Sequence, residues 1–200
     1  MKNLLFIGDS LTDAGRDRTD EKHIGDGYVK KVDAKLAYEE PGAYYCRNRG
    51  YNGYCVADLF PRVYCDVLVH DPVCVTVTMG FNDTNIPQER FERFYDMLLA
   101  EMRRTLPSAH FILWEPFCIH GSATDERFDT LRTALKARAE GVRRLAKIYG
   151  ATVIPMQERM DALAAENGPQ YWTWDGVHPT PAGAELMSDV WLETFRSLEA

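Results

Sequence analysis

The stretch LLFIGDSLTDAGR, Leu4 to Arg16, decides the fold. Leu4-Leu5-Phe6-Ile7 is a short apolar run of strand character, and it ends abruptly on Gly8-Asp9-Ser10 before the chain turns polar. A continuous apolar run bounded by turn residues fits a strand buried on both faces. Further along, Ala43–Arg47, Val73–Met79, His110–Trp114 and Ala151–Ile154 have the same character, each closed by Gly, Pro, Asp or Asn. Amphipathic stretches alternate with them, at Tyr28–Tyr38, Val56–Val69, Gln88–Thr105, Asp125–Tyr149 and Pro181–Leu198. In the third, Phe91, Phe94, Tyr95, Leu98, Leu99 and Met102 share one helical face. Five strands alternating with helices predict an α/β fold with a parallel sheet covered on both sides. In such sheets ligands bind at the carboxyl ends of the strands, so the residues just beyond each strand are the ones to inspect for chemistry.

Composition bounds the function. The 200 residues carry 46% hydrophobic and 26% charged side chains, suited to one domain over 1–200 with a substantial core. The net charge of -7 and the lack of a basic block argue against a nucleic-acid partner. No run of about 18 apolar residues is present, so no membrane-spanning helix is expected. Met1-Lys2-Asn3 leads straight into the first strand without a signal-peptide pattern. Five cysteines, an odd number with no CxxC pair, suit free thiols in a reducing cytoplasm better than disulfides or a metal site.

Three strand ends and one tail carry candidate chemistry. Gly8-Asp9-Ser10 follows the first strand, Asn48-Arg49-Gly50-Tyr51-Asn52-Gly53 the second, and Gly80-Phe81-Asn82-Asp83 the third. Trp174-Asp175-Gly176-Val177-His178 precedes the last helix. A serine hydroxyl needs an adjacent base to become a nucleophile. Asp175 and His178, three apart across a turn, could supply that base with its tautomer fixed. Gly53 offers a backbone N–H, and Asn82 an amide group, to a developing oxyanion. Singly, each block reads more readily as a turn; their joint occurrence at successive strand ends does not.

Taken together, GDS, NRGYNG, GFND and DGVH resemble the SGNH hydrolases, also called GDSL-type esterases, with block order and approximate spacing preserved across nearly the whole chain. The resemblance implies a three-layer α/β/α sandwich with a five-stranded parallel, flavodoxin-like sheet. It implies Ser10 as nucleophile, His178 as general base and then acid, and Asp175 as its orienter. The Ser10 amide, Gly53 and Asn82 would form the oxyanion hole. There is no GxSxG elbow, which sets the chain apart from the larger α/β-hydrolase family. GDSLTDAGR, GDGYV, MGFND, WEPF and WDGVHPTPAG look like the intracellular branch with acetylxylan and xylo-oligosaccharide esterases. One departure is that Thr84-Asn85-Ile86-Pro87 leads directly into helix, where several members carry a longer aromatic segment.

The expected reaction is hydrolysis of a small-acyl ester, acetyl foremost, on a carbohydrate such as an acetylated xylo-oligosaccharide, with neither metal nor organic cofactor. The alternatives are a lysophospholipase or thioesterase acting on longer chains, and a non-catalytic carbohydrate-binding protein. Phe81, Tyr54, Trp172 and Trp174 are candidates for substrate contact, though aromatic rings serve more often in packing. Asp9 and Asp83 read as turn braces, Asp13 and Arg16 as a solvated loop, and the charged helix from Asp125 to Lys147 as a solvated face. His23, His70, His110 and His120 read as surface or satisfied core. By resemblance, the chain leans towards a homo-oligomer.

Overall fold

A computed structural model describes residues 1–199. Its centre is a parallel sheet of five strands, β1 (Lys2–Gly8), β2 (Tyr44–Gly50), β3 (Cys74–Thr78), β4 (His110–Trp114) and β5 (Thr152–Ile154), in the order β2-β1-β3-β4-β5. The helices are α1 (Ser10–Asp13), α2 (Tyr28–Glu39), α3 (Val56–Leu59), α4 (Val63–Asp66), α5 (Gln88–Thr105), α6 (Phe128–Tyr149), α7 (Met156–Asn167), α8 (Pro169–Trp172) and α9 (Pro181–Glu199).

Alternation along the strands builds the two halves of the core. Leu4 and Phe6 of β1, with Ile112 and Trp114 of β4, pack under α2, α7 and α9 through Val32, Met160 and Trp191. Leu5 and Ile7, with Val75, Val77, Phe111 and Leu113, pack under α3 to α6 on the other face. The predicted apolar face of α5 is the buried one, with Phe91, Tyr95, Leu98, Leu99 and Met102 wholly enclosed. Among the described residues, no helix is long and apolar enough to cross a membrane.

Three expectations need correction. Val56–Val69 is not one helix: Pro61, which lacks an N–H and clashes with the preceding turn, sits in a 3-10 turn (Phe60–Arg62) between α3 and α4. The helices α7 and α8 were not expected. In α7 only Met156 and Met160 are buried, so its apolar periodicity is faint. The strand β2 runs on to Gly50, which places Asn48 inside the sheet and buries it.

The order β2-β1-β3 puts a topological switch at the carboxyl end of β1, between its two neighbours, and Ser10 stands immediately beyond it. A side chain at Gly8 would bring its Cβ within 2.5 Å of Thr12 Oγ1 and 2.6 Å of the Thr78 carbonyl oxygen. Glycine at this position lets α1 turn tightly back over β3.

Candidate active site

Asp9 caps α1: its carboxylate accepts the Leu11 amide at 3.1 Å, and its own amide donates to the Thr78 carbonyl at 3.2 Å. Ser10 thereby begins a helix at the sheet edge with its side chain half-exposed. Beneath it, the buried Tyr28 hydroxyl lies 3.3 Å from Thr12 Oγ1 and 3.2 Å from Thr78 Oγ1, tying α1, α2 and β3 together. Burial pushes the Tyr28 phenol up to about 12, so it stays a neutral hydrogen-bonding group.

From the far end of the chain, the loop between α8 and α9 brings His178 to Ser10. His178 Nε2 is 2.9 Å from Ser10 Oγ, and Nδ1 is 2.7 Å from Asp175 Oδ2. The other carboxylate oxygen accepts the Val177 and His178 amides at 2.9 and 2.8 Å. Burial alone would raise the Asp175 carboxyl, but the His178 ring and these two amides hold it below its ordinary value. An ionised Asp175 accepts the Nδ1 proton and leaves Nε2 as acceptor for the serine hydroxyl. The loop is fixed from outside as well: the Ile119 amide donates to Gly176 O and the Ala123 amide to Asp175 O, both at 2.9 Å.

The remaining predicted donors sit at the ends of the next two strands. Gly53 lies exposed in the loop after β2 with φ +77, a conformation that favours glycine, and its Cβ position faces open space. Asn82 opens the turn after β3, and its Nδ2 donates to Tyr54 O at 3.0 Å. An amide nitrogen carries two hydrogens, so a second remains. Cys55 Sγ donates to Asn82 O, and the Val56 amide donates to Asp83 Oδ1, locking the two loops to one another. Asp83 thus braces a turn as expected. Arg138, however, is not on a solvated face: it is buried, and it donates to the Asp83 carbonyl at 2.8 Å. Asp13 and Arg16 are buried too.

Ser10 and His178 open onto a cavity of about 370 Å³ whose rim includes Trp174, 70% exposed, and Lys31. Of the four predicted aromatic contacts, Trp174 alone lines it. Tyr54 stacks on Tyr51 at 4.7 Å, Trp172 donates Nε1 to Leu163 O, and Phe81 packs between two apolar clusters. Sequence reasoning missed Asn48, whose amide bonds the carbonyls of Ile24 and Thr12, and Thr124, whose hydroxyl donates to Ile119 O at 2.7 Å. Both bond only backbone, which leaves no pattern in sequence. His120, read as surface or satisfied core, is exposed and pairs with Asp125 at 2.8 Å.

A profile of the GDSL-like lipase/acylhydrolase family matches residues 6–186. The chain belongs to that family. It is 30% identical to an acetylxylan esterase of Geobacillus stearothermophilus, over 96% of this chain and 92% of that one. Among solved structures, Axe2, an acetylxylan esterase from the same organism, superposes with a TM-score of 0.84 at 28% identity, covering 96% and 93% of the two chains. LAE5, an alpha/beta hydrolase enzyme from the metagenome of Lake Arreo in Spain, superposes with a TM-score of 0.85 at 29% identity, covering 96% and 94%. This GDSL-family chain is therefore a carboxylic ester hydrolase with the three-layer SGNH architecture.

Proposed function

We propose that this GDSL-family hydrolase removes small acyl groups, acetyl foremost, from a carbohydrate such as an acetylated xylo-oligosaccharide, through an acyl-enzyme on Ser10. The observation that carries the mechanism is the unbroken chain of hydrogen bonds from Ser10 Oγ through His178 to Asp175, at 2.9 and 2.7 Å. The substrate class rests on the acetylxylan esterase likeness and on the exposed Trp174 ring beside the cavity, a flat apolar face of the kind a sugar ring can cover.

In this reading His178 takes the hydroxyl proton as Ser10 Oγ attacks the ester carbonyl, and Asp175 stabilises the imidazolium. The oxyanion is received by the Ser10 and Gly53 amides and by the second Nδ2 hydrogen of Asn82. His178 returns the proton to the departing sugar hydroxyl, and water then cleaves the acyl-enzyme by the same route. Neither a metal nor an organic cofactor takes part in these steps. Residues 1–200 work here as one catalytic domain, and the five free thiols suit a reducing cytoplasm.

The test is acetate release across a panel of acetylated sugars, with Ser10→Ala as control. Turnover of acetylated xylo-oligosaccharides that disappears in Ser10→Ala is expected. Residual turnover in a clean Ser10→Ala sample removes Ser10 from its role. A p-nitrophenyl ester series peaking at long acyl chains would overturn the acetyl assignment.

A further inference from the structure

Behind the Gly50–Gly53 segment lies a second cavity, of about 340 Å³, with a different chemistry from the first. It is lined by Arg16, Arg18 and Arg49, together with Tyr51, His70 and the carboxylates Glu21 and Asp66, in a protein whose net charge is -7. Three guanidinium groups crowd one ring: Arg16, Arg18 and Arg62 stand 4.7, 4.9 and 4.4 Å from the centre of Tyr51. Like charges held this close repel unless anions lie among them.

The resident carboxylates do not complete the balance. Glu21 accepts from both Arg47 and Arg49, Asp66 holds Arg62, and Asp13 holds Arg18 at 3.1 Å, so four guanidinium groups share three carboxylates and Arg16 pairs with none of them. Arg16 is 91% buried, with Nε on the Gly50 carbonyl at 2.8 Å, and its buried Nη2 has no hydrogen-bond partner. A buried guanidinium nitrogen without a partner is uncommon and calls for an explanation. His70 responds to the same positive field: burial first, then Arg47 and Arg49, push its imidazole below its ordinary value.

We propose that this cavity is an anion-binding subsite that takes a carboxylate or phosphate group between Arg16, Arg18 and Arg49. A planar fork of N–H donors suits such groups well. The subsite shares its wall with the oxyanion loop. Arg16 holds Gly50 O, and the Asp13 carboxylate that holds Arg18 also accepts the amide of Asn52, the neighbour of Gly53, at 3.0 Å. An acid bound there lies against the loop that presents Gly53. It is either an acidic substituent carried by the ester substrate, such as a uronic acid branch, or a separate free anion.

Cys65 is exposed and lines the same cavity, which makes it a reporter independent of esterase activity. Wild-type protein is titrated with sodium glucuronate and, separately, with inorganic phosphate, each against chloride of equal ionic strength. The rate at which iodoacetamide alkylates Cys65 is followed by peptide mass spectrometry, with Cys55, outside the cavity, as internal reference. At least one anion is expected to protect Cys65 saturably, with half-protection on the order of 1–10 mM. Arg49→Met and, as a second variant, Arg18→Met are each expected to weaken that protection about tenfold. Protection no greater than that of chloride, or equal protection in both folded variants, overturns the subsite. A kcat/KM about tenfold higher for an acetylated oligosaccharide bearing a uronic acid than for its neutral counterpart assigns the anion to the substrate. A ratio near one, with protection intact, assigns it to a free anion. Because protection is read without turnover, failure of the acetyl-sugar assignment leaves this test standing.

Discussion

Asp175 receives three donors, whereas Asp9 receives one neighbouring amide, and the two carboxyls titrate in opposite directions. Asp175 lies in a loop that folds its own amides onto Oδ1 and its own imidazole onto Oδ2, so it stays ionised despite its burial. Asp9, one residue before Ser10, is pushed by burial up to about 7; the Leu11 amide works against this, the nearby Asp83 with it, and His178 against it. Asp83 is itself pushed by burial up to about 6. Two differences separate these aspartates near the same histidine: Asp9 is fully buried where Asp175 is only half-buried, and fewer donors are aimed at it. A carboxylate that must stay charged has been surrounded with N–H groups; one that caps a four-residue helix in the dry edge of the sheet has not.

Two large effects test the well-supplied side of this contrast. Asp175→Asn is expected to lower kcat for p-nitrophenyl acetate by about 10³–10⁴, because the amide can present its NH2 to Nδ1 and invert the tautomer. Asp9→Asn, which keeps an acceptor for Leu11, is expected to cost at most about tenfold. Equal losses would erase the distinction between the two. Next in size, Asn82→Ala removes a donor rather than an acceptor, and kcat is expected to fall by about 10²–10³ with KM little changed. A fall confined to KM would place Asn82 in ground-state binding instead.

The poorly supplied side is read through stability. A carboxyl raised on folding contributes stability that is full below its unfolded value and lost as pH rises through its folded one. For Asp9 that window runs from the ordinary carboxylate range up to about 7. Urea unfolding should therefore show Asp9→Asn more stable than wild type at pH 8, by about 2–4 kcal/mol, with the difference vanishing near pH 4. The same difference at both pH values would mean that Asp9 is not charged at a cost. Asp175 has the reverse sign: its contribution is present above the ordinary carboxylate range and fades as the medium acidifies through its lowered value.

The contrast also bears on what could be read from the sequence. Strand–helix alternation, the buried face of α5 and the blocks GDS, GFND and DGVH were legible because each is local, made of neighbours or of residues at a fixed period. Asp9 and Asp83 could be read as braces, but not as carboxyls with raised values, since that depends on burial by distant segments. The basic cavity was invisible for the same reason: its arginines come from positions 16, 18 and 49 and form no run. Arg138 looked solvated in a helix rich in charge, yet one residue of that helix faces inward to the Asp83 carbonyl. Tyr54 and Trp172 were candidates for substrate contact on aromatic character and nearness in sequence, and sequence alone did not show that Tyr54 stacks on Tyr51 or that Trp172 bonds Leu163 O.

The smallest predicted effect asks whether the donors on Asp175 depend on the rest of the protein. Thr124 is fully buried, and its hydroxyl bonds the carbonyl of Ile119, whose amide in turn bonds Gly176 O inside the loop that carries Asp175 and His178. Thr124→Val keeps the shape and deletes the hydroxyl, leaving the Ile119 carbonyl without that donor. A loss of about 1–2 kcal/mol in stability is expected, with kcat down about two- to fivefold as the loop loosens against Ser10. The acid limb of the kcat/KM profile should not move, because the amides of Val177 and His178 that keep Asp175 ionised belong to the loop itself. An acid limb displaced upward in Thr124→Val would show that the loop holds its carboxylate charged only while it is docked on residues 119–124.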